Sequence, residues 1–320
     1  MDYLSRYRRP LISGLLLGIT VILIILFVAD FRDVTRVFAE MDLRLLPLIL
    51  ILAPFNYFFR YLKWNYYLKI SGIKPEPKMN RYIFMSGLSM TITPGKVGEL
   101  LKCYLMKEHL GTPVSRTSSI VLAERVTDAL AMVVLAILGF LAYPYGRTIV
   151  PIAAGILFTL IIVFHSDALF KLLTNRLLKV ELLKKSATFL QDFQRSARML
   201  FSTRNLVIAV GIGVVSWGFE GFVVYLAVQA LGGEISILGS FFVVAFSSLL
   251  GALSFLPGGL GVAEGSIMTI LMLTGIGTEM AAAATLITRF STLWLGVGVG
   301  IVGLALTQRE FARGKIIKAE

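Results

Sequence analysis

The sequence predicts an all-α polytopic membrane protein built from two inverted-topology repeats, each holding a re-entrant broken helical hairpin. Three observations carry that expectation. Of 320 residues, 57% are hydrophobic, with a mean hydropathy of +0.81, against about 45–50% apolar residues in soluble domains. Several apolar runs reach or approach the ~17–20 residues that cross a bilayer. A Pro-Gly interruption followed by a glutamate also occurs twice inside apolar sequence, as I-T-P-G-K-V-G-E-L-L-K at 92–102 and F-L-P-G-G-L-G-V-A-E at 255–264.

The elements follow in order from hydropathy and basic residues. The run 11–29 comes after R-Y-R-R-P. It is longer than a signal-peptide core and is followed by no small-residue cleavage site, so it reads as a retained first span. With the N-terminus cytoplasmic, span 45–62 returns to the basic stretch 60–81. Segments 82–94 and 97–106 are each too short to cross and form a hairpin entered from the cytoplasm. Span 117–142 goes out and 149–165 comes back. The link 166–204 sets Leu169, Leu172, Leu173, Leu177, Phe189 and Phe193 among basic residues, the pattern of an amphipathic helix on the cytoplasmic surface. Span 206–231 goes out, 237–276 dips in from outside, and 281–307 leaves Arg309, Arg313, Lys315 and Lys318 in the cytoplasm. The segment 237–256 is long enough to span outright, which would change the depth of that hairpin and not the parity.

The net charge of +12 is what the positive-inside rule requires of such a chain, so it does not imply nucleic acid. The expected location is the cell membrane, multi-pass, with both termini cytoplasmic. One cysteine, Cys103, and two histidines without ligand spacing, His109 and His165, give no metal site and no cofactor. No phosphate-binding loop of the G-x-x-x-x-G-K-[ST] type is present, so ATP is not expected to be hydrolysed by this chain.

The two interruptions align: Pro94-Gly95-Lys96-Val97-Gly98-Glu99 against Pro257-Gly258-Gly259-Leu260-Gly261, with Glu264 shortly after. Pro94 precedes Arg125 by 31 positions and Pro257 precedes Arg289 by 32. Within a single membrane domain of residues 1–320, repeat 1 is placed at 45–142 and repeat 2 at 206–307. By the charge count the hairpins enter from opposite sides, an arrangement frequent in secondary transporters. Proline removes a donor and glycine permits a tight turn. The half-helices that follow, starting near Lys96 and Val262, would present free amides and a positive dipole end to an anion.

Glu124, Arg125, Asp128, Glu220, Glu264 and Arg289 lie in apolar spans. Each unpaired charge at membrane depth costs roughly 2.5–3.5 kcal/mol, so they must pair or line a polar cavity. Arg125 reaches Asp128 at helical spacing, and the repeat pairs Arg125 with Glu99 and Arg289 with Glu264. Two roles stay open: struts that pin broken helices, or a path along which a phosphate displaces a carboxylate from an arginine. Arg60, Lys63 and Trp64, with Tyr66 and Tyr67, are expected to form an interfacial girdle that contacts lipid.

R-Y-L-K-W-N-Y-Y-L at 60–68, T-P-G-K-V-G-E-L-L-K at 93–102, E-R-V-T-D at 124–128 and L-P-G-G-L-G-V-A-E at 256–264 together resemble the flippase-like membrane family named for the transmembrane region of bacterial lysylphosphatidylglycerol synthase. The resemblance covers nearly the whole chain. It implies movement of a membrane phospholipid or a lipid-linked glycan between leaflets. It favours Lys96, Glu99, Glu124, Arg125, Asp128, Gly258, Gly259 and Glu264 as the polar site, to which the repeat adds Arg289. The chain ends in a short basic tail after 307 without an aminoacyl-transferase domain, so a separate enzyme is expected to make the lipid. The expected function is therefore a lipid translocase and not an enzyme. The alternative is a secondary transporter of a small soluble anion, with a central site walled in by protein.

Overall fold

The computed structural model describes residues 3–93, 98–139, 187–317 and isolated positions between 151 and 172. Among these residues all regular structure is helical, and the chain is an all-α polytopic membrane protein. Its helices are α1 (Tyr3–Val28), α2 (Phe31–Ala39), α3 (Leu46–Ile70), α4 (Pro77–Leu88), α5 (Leu101–Leu110), α6 (Val114–Gly139), α7 (Ala187–Leu200), α8 (Thr203–Ala230), α9 (Ile237–Leu253), α10 (Val262–Leu273), α11 (Thr278–Arg289) and α12 (Leu295–Ile317). Four described stretches are long and apolar enough to cross a membrane: Leu11–Val28, Leu43–Ile70, Thr203–Ala230 and Thr278–Ala312. At 26 residues, α6 has the length to cross as well, about 39 Å, but carries buried charges. About half of the predicted span 149–165 and most of the first part of the link, 166–186, fall outside the described residues. The described end of that link, α7, buries Ala197 and Leu200 and packs on α6.

Local chemistry sets the ends. Both α3 and α8 stop at a glycine in the left-handed region, Gly72 (φ 65) and Gly232 (φ 81). In each case the next amide reaches back five residues, Ile73 to the Leu68 carbonyl at 2.9 Å and Gly233 to the Val228 carbonyl at 3.0 Å. This satisfies carbonyls that the helix end leaves open. Helix α4 then starts at Pro77, earlier than hydropathy predicts, because proline's fixed φ suits a first helical turn. Helix α9 starts behind Ser236, whose hydroxyl accepts from the Gly239 amide at 3.0 Å. At 12 and 10 residues, α4 and α5 reach only about 18 and 15 Å. The hairpin arms α9 and α10 have 17 and 12 residues.

The halves interlock. Helix α3 packs along α8, where Asn56 donates to the Ser216 carbonyl at 2.9 Å and Ser216 donates back to the Asn56 carbonyl at 3.1 Å. Phe55 and Phe59 stack on Phe219 beside this clasp. The first arm of each hairpin lies against the other half: α4 along α12, and α9 along α6. Ser86 and Thr307 share a hydrogen bond at 3.1 Å across the former contact. The predicted span 281–307 is longer than hydropathy shows and contains a π-turn at Phe290–Trp294, closed by the Leu295 amide on the Phe290 carbonyl. That turn, directly after Arg289, leaves the Thr292 carbonyl to accept from the Tyr57 hydroxyl at 2.8 Å. Bulges of this kind recur at functional sites.

The α4–α12 contact depends on missing side chains. A Cβ at Gly300 would overlap the Ser89 amide and one at Gly303 would overlap Met85, whereas Gly298 faces open space. Gly300→Ala is therefore expected to destabilise the fold by about 1–3 kcal/mol. Gly298→Ala should be neutral or slightly stabilising. Thermal unfolding of the two variants in detergent compares them directly.

Candidate functional site

The second interruption is held by side chains. Gly258 (φ 62) and Gly261 (φ 86) take left-handed conformations that a residue with a Cβ adopts only at a cost. Glu264, in the first turn of α10, accepts the Gly261 amide at 2.7 Å. Its other oxygen accepts from Arg289 Nε at 2.5 Å, and Arg289 Nη2 donates to the Gly258 carbonyl at 3.1 Å. One guanidinium thus ties a capping carboxylate to a carbonyl freed by the break. The helix start near Val262, expected to await an incoming anion, is already occupied by the chain's own Glu264.

The first interruption is bridged by Thr93. Its hydroxyl donates to the Met90 carbonyl at 2.6 Å and accepts the Gly98 amide at 2.9 Å. A Cβ at Gly98 would stand 2.5 Å from that hydroxyl, so the close approach requires glycine. Lys96 lies outside the described residues. Glu99 follows at once, and its carboxylate faces Arg125 at 3.3 Å and Arg60 at 3.8 Å. Arg125 also meets Asp128 at 3.1 Å, and Asp128 is paired in turn with Lys63. The structure brings together both pairs that the repeat predicts, Arg125 with Glu99 and Arg289 with Glu264.

The girdle expectation is corrected. Arg60, Lys63 and Trp64 are 8%, 1% and 0% exposed, so they face protein and not lipid. The reason is the face of α3 on which they sit. It turns toward protein, where Asp128 of α6 neutralises Lys63 and Glu99, just after the first interruption, neutralises Arg60. Trp64 Nε1 donates to Asn80 at 2.8 Å. Lys102, which the sequence reading passed over, lies 4.4 Å above the Trp64 ring and 2.6 Å from Glu124. A lysine within the apolar first two turns of a ten-residue helix, away from the charged end at Lys107–His109, was the available signal.

A cavity of about 210 Å³ opens where the halves meet. Arg60 and Arg125 line it from the first half and Arg289 from the second, with Asp128 and Glu220 as its carboxylates. Gly258 and Gly259 form part of its wall. The interruptions touch here: a Cβ on Gly258 would lie 3.4 Å from Ile92 Cα. Of the predicted site residues, Arg125, Asp128, Gly258, Gly259 and Arg289 reach the cavity. Glu99 and Glu264 are not among its lining residues and hold the arginines from outside it, while Glu124 pairs with Lys102. Arg125 Nε is buried and donates no hydrogen bond, a donor left for an acceptor. Phe255, 73% exposed and with φ 54, stands at the rim with Leu256.

The Lys102–Glu124 pair lies away from the cavity and is fully buried, so its partners depend on each other. Lys102→Met alone is expected to cost roughly 3–5 kcal/mol by leaving Glu124 buried and uncompensated, while Lys102→Met with Glu124→Leu recovers most of the loss. Chemical unfolding of single and double variants in mixed micelles measures the coupling.

Comparison with known proteins agrees with this architecture. The family model described as the lysylphosphatidylglycerol synthase TM region matches residues 15–300. The chain is 23% identical to a UPF0104 membrane protein of Pyrococcus horikoshii, over 92% of this chain and 96% of that one. It is 22% identical to a UPF0104 membrane protein of Methanothermobacter thermautotrophicus, covering 94% of each. A UPF0104 membrane protein of Methanocaldococcus jannaschii is 27% identical over 70% of this chain and 95% of its own. A helical chain whose two interrupted hairpins meet at a cavity lined by three arginines thus belongs to the family of the lysylphosphatidylglycerol synthase transmembrane region.

Proposed function

We propose that the protein is a lipid translocase that passes an anionic headgroup, of a membrane phospholipid or a lipid-linked glycan, between leaflets through the cavity where its halves meet. The observation that carries this reading is the cavity's lining. Arg60, Arg125 and Arg289 converge from both halves, against Asp128 and Glu220. Guanidinium forks match phosphate oxygens in geometry and charge, and the buried Arg125 Nε retains a donor. The exposed apolar rim at Phe255 and Leu256 supports a ligand with a hydrocarbon part over a soluble anion, which would need no such edge.

The halves act in this reading as inverted repeats, 45–142 and 206–307. The exchange of hairpin arms, α4 onto α12 and α9 onto α6, supports that pairing, as do the matching ends of α3 and α8. The basic stretches at 60–81 and in the tail after 307 support the reading of a cell-membrane protein with both termini in the cytoplasm. The role is transport and not catalysis: the arginines bind and hand on a headgroup without breaking a bond.

The test is headgroup translocation in proteoliposomes, with a fluorescent anionic phospholipid and chemical quenching of the outer leaflet. Wild-type protein should accelerate probe loss over empty liposomes. Arg125→Ala and Arg289→Ala, checked for folding, should slow it about 10–100-fold, the equivalent of one charged hydrogen bond worth roughly 1.5–3 kcal/mol. Lys78→Ala breaks an exposed pair with Glu310 and should leave the rate unchanged. Absence of lipid movement, with uptake of sulfate or phosphate by the same liposomes, would overturn the reading in favour of soluble-anion transport.

A further inference from the structure

A second cavity also has Arg289 in its lining. Val21, Ile22 and Ile25 of α1 form one wall, and Leu260, Leu286 and Phe290 form the other. Its volume is also about 210 Å³. Glu264 and Arg289, already joined to each other, are the ionisable groups that line it. Arg289 lines both this slot and the polar cavity. The slot exists because α1 is seated on glycines. A Cβ at Gly18 would overlap the Trp294 ring, and one at Gly14 would lie 2.8 Å from the Ile92 carbonyl. Helix α1 therefore leans across both interruptions and leaves an apolar gap beside the second one.

We propose that this slot holds one hydrocarbon chain of the same lipid whose headgroup enters the polar cavity; the proposal rests on the translocase reading. The argument is continuity. A phosphate bound at Arg289 has its ester-linked chain within a few bonds, and the second space that Arg289 lines is walled by aliphatic and aromatic side chains. An empty apolar cavity does not hold water, so in a bilayer its natural occupant is an alkyl or isoprenoid chain. The slot would thus select ligands that join an anion to a hydrocarbon, which a soluble anion cannot satisfy.

The experiment uses the full chain in phosphatidylcholine liposomes doped with phosphatidylglycerol that carries a diazirine on one acyl chain. After irradiation, adducts are mapped by mass spectrometry. The expected result is adducts on the inward residues Val21, Leu260 and Leu286, in addition to those on the outward Leu23 and Ile24, which face lipid. Val21→Trp should fill the slot and lower the inward adducts several-fold while the outward ones persist. Leu286→Phe fills the same space from the other wall and serves if the first variant does not fold. Adducts confined to Leu23 and Ile24, or inward adducts that neither variant reduces, would overturn the slot. Headgroup translocation in the same liposomes separates the two readings. Translocation without inward adducts removes the slot alone, and inward adducts without translocation remove the translocase and leave a lipid-chain site.

Discussion

Backbone amides and carbonyls that no helix satisfies cannot be left to lipid, where each would cost several kcal/mol. Every feature around the two interruptions answers that constraint. At the second break the Gly261 amide goes to Glu264 and the Gly258 carbonyl goes to Arg289. At the first, the Thr93 hydroxyl serves the Gly98 amide and the Met90 carbonyl together. The repair of the second break brings a carboxylate and a guanidinium to membrane depth, and these must neutralise each other there. A polar cavity between the halves is the consequence: once the backbone is opened and charges are recruited to close it, the space beside them is lined by charge.

The halves meet the constraint differently. The second uses one neutral ion pair, Glu264 with Arg289, locked by bonds to backbone. The first uses a chain of alternating charges, Arg60, Glu99, Arg125, Asp128 and Lys63, in which the cations outnumber the carboxylates. Its inner members, Glu99, Arg125 and Asp128, each have two partners, so one that loses a partner retains another. Arg125 has both Glu99 and Asp128, whereas Arg289 has Glu264 and a carbonyl. In the proposed mechanism the first half is the stronger anion holder, and the second offers a more evenly balanced exchange.

Much of this was legible in the sequence, because membrane depth makes rules strict. A hydropathy plot places α1, α3, α8 and the joined α11–α12, and paired Pro-Gly motifs place the breaks. The spacing from break to arginine gives the Arg125–Glu99 and Arg289–Glu264 pairs. The failures have a common cause. Arg60, Lys63 and Trp64 look interfacial by composition and by position near a helix end. Which side of α3 they occupy depends on carboxylates 39 residues from Arg60 and 65 from Lys63, and a linear pattern carries no such information. Lys102 was passed over for the same reason, since only the fold brings Glu124 to it. The π-turn after Arg289 leaves no trace in hydropathy at all, because its residues are as apolar as those of an ordinary turn. Glu264's capping of its own helix was hidden by its other partner: the sequence shows one carboxylate near one arginine, and the three-way geometry with Gly261 emerges only in space.

The locked pair at Arg289 bears on how a headgroup could move at all. A bare anion brought to membrane depth would be costly, and so would a guanidinium stripped of its carboxylate. Exchange avoids both penalties. In the proposed mechanism a phosphate that approaches Arg289 would replace Glu264 as its partner, while Glu264 would keep the Gly261 amide and the positive end of α10. The released carboxylate is therefore not left naked, and the cation is never alone. Arg125 provides the matching condition on the other side, since loss of contact with Glu99 leaves it paired with Asp128. Each carboxylate thus has a second partner to fall back on, Gly261 for Glu264 and Arg60 for Glu99. In the proposed mechanism a path built from doubly held charges would keep total pairing nearly constant as the ligand passes, and that constancy would let groups that are costly in isolation serve as a route.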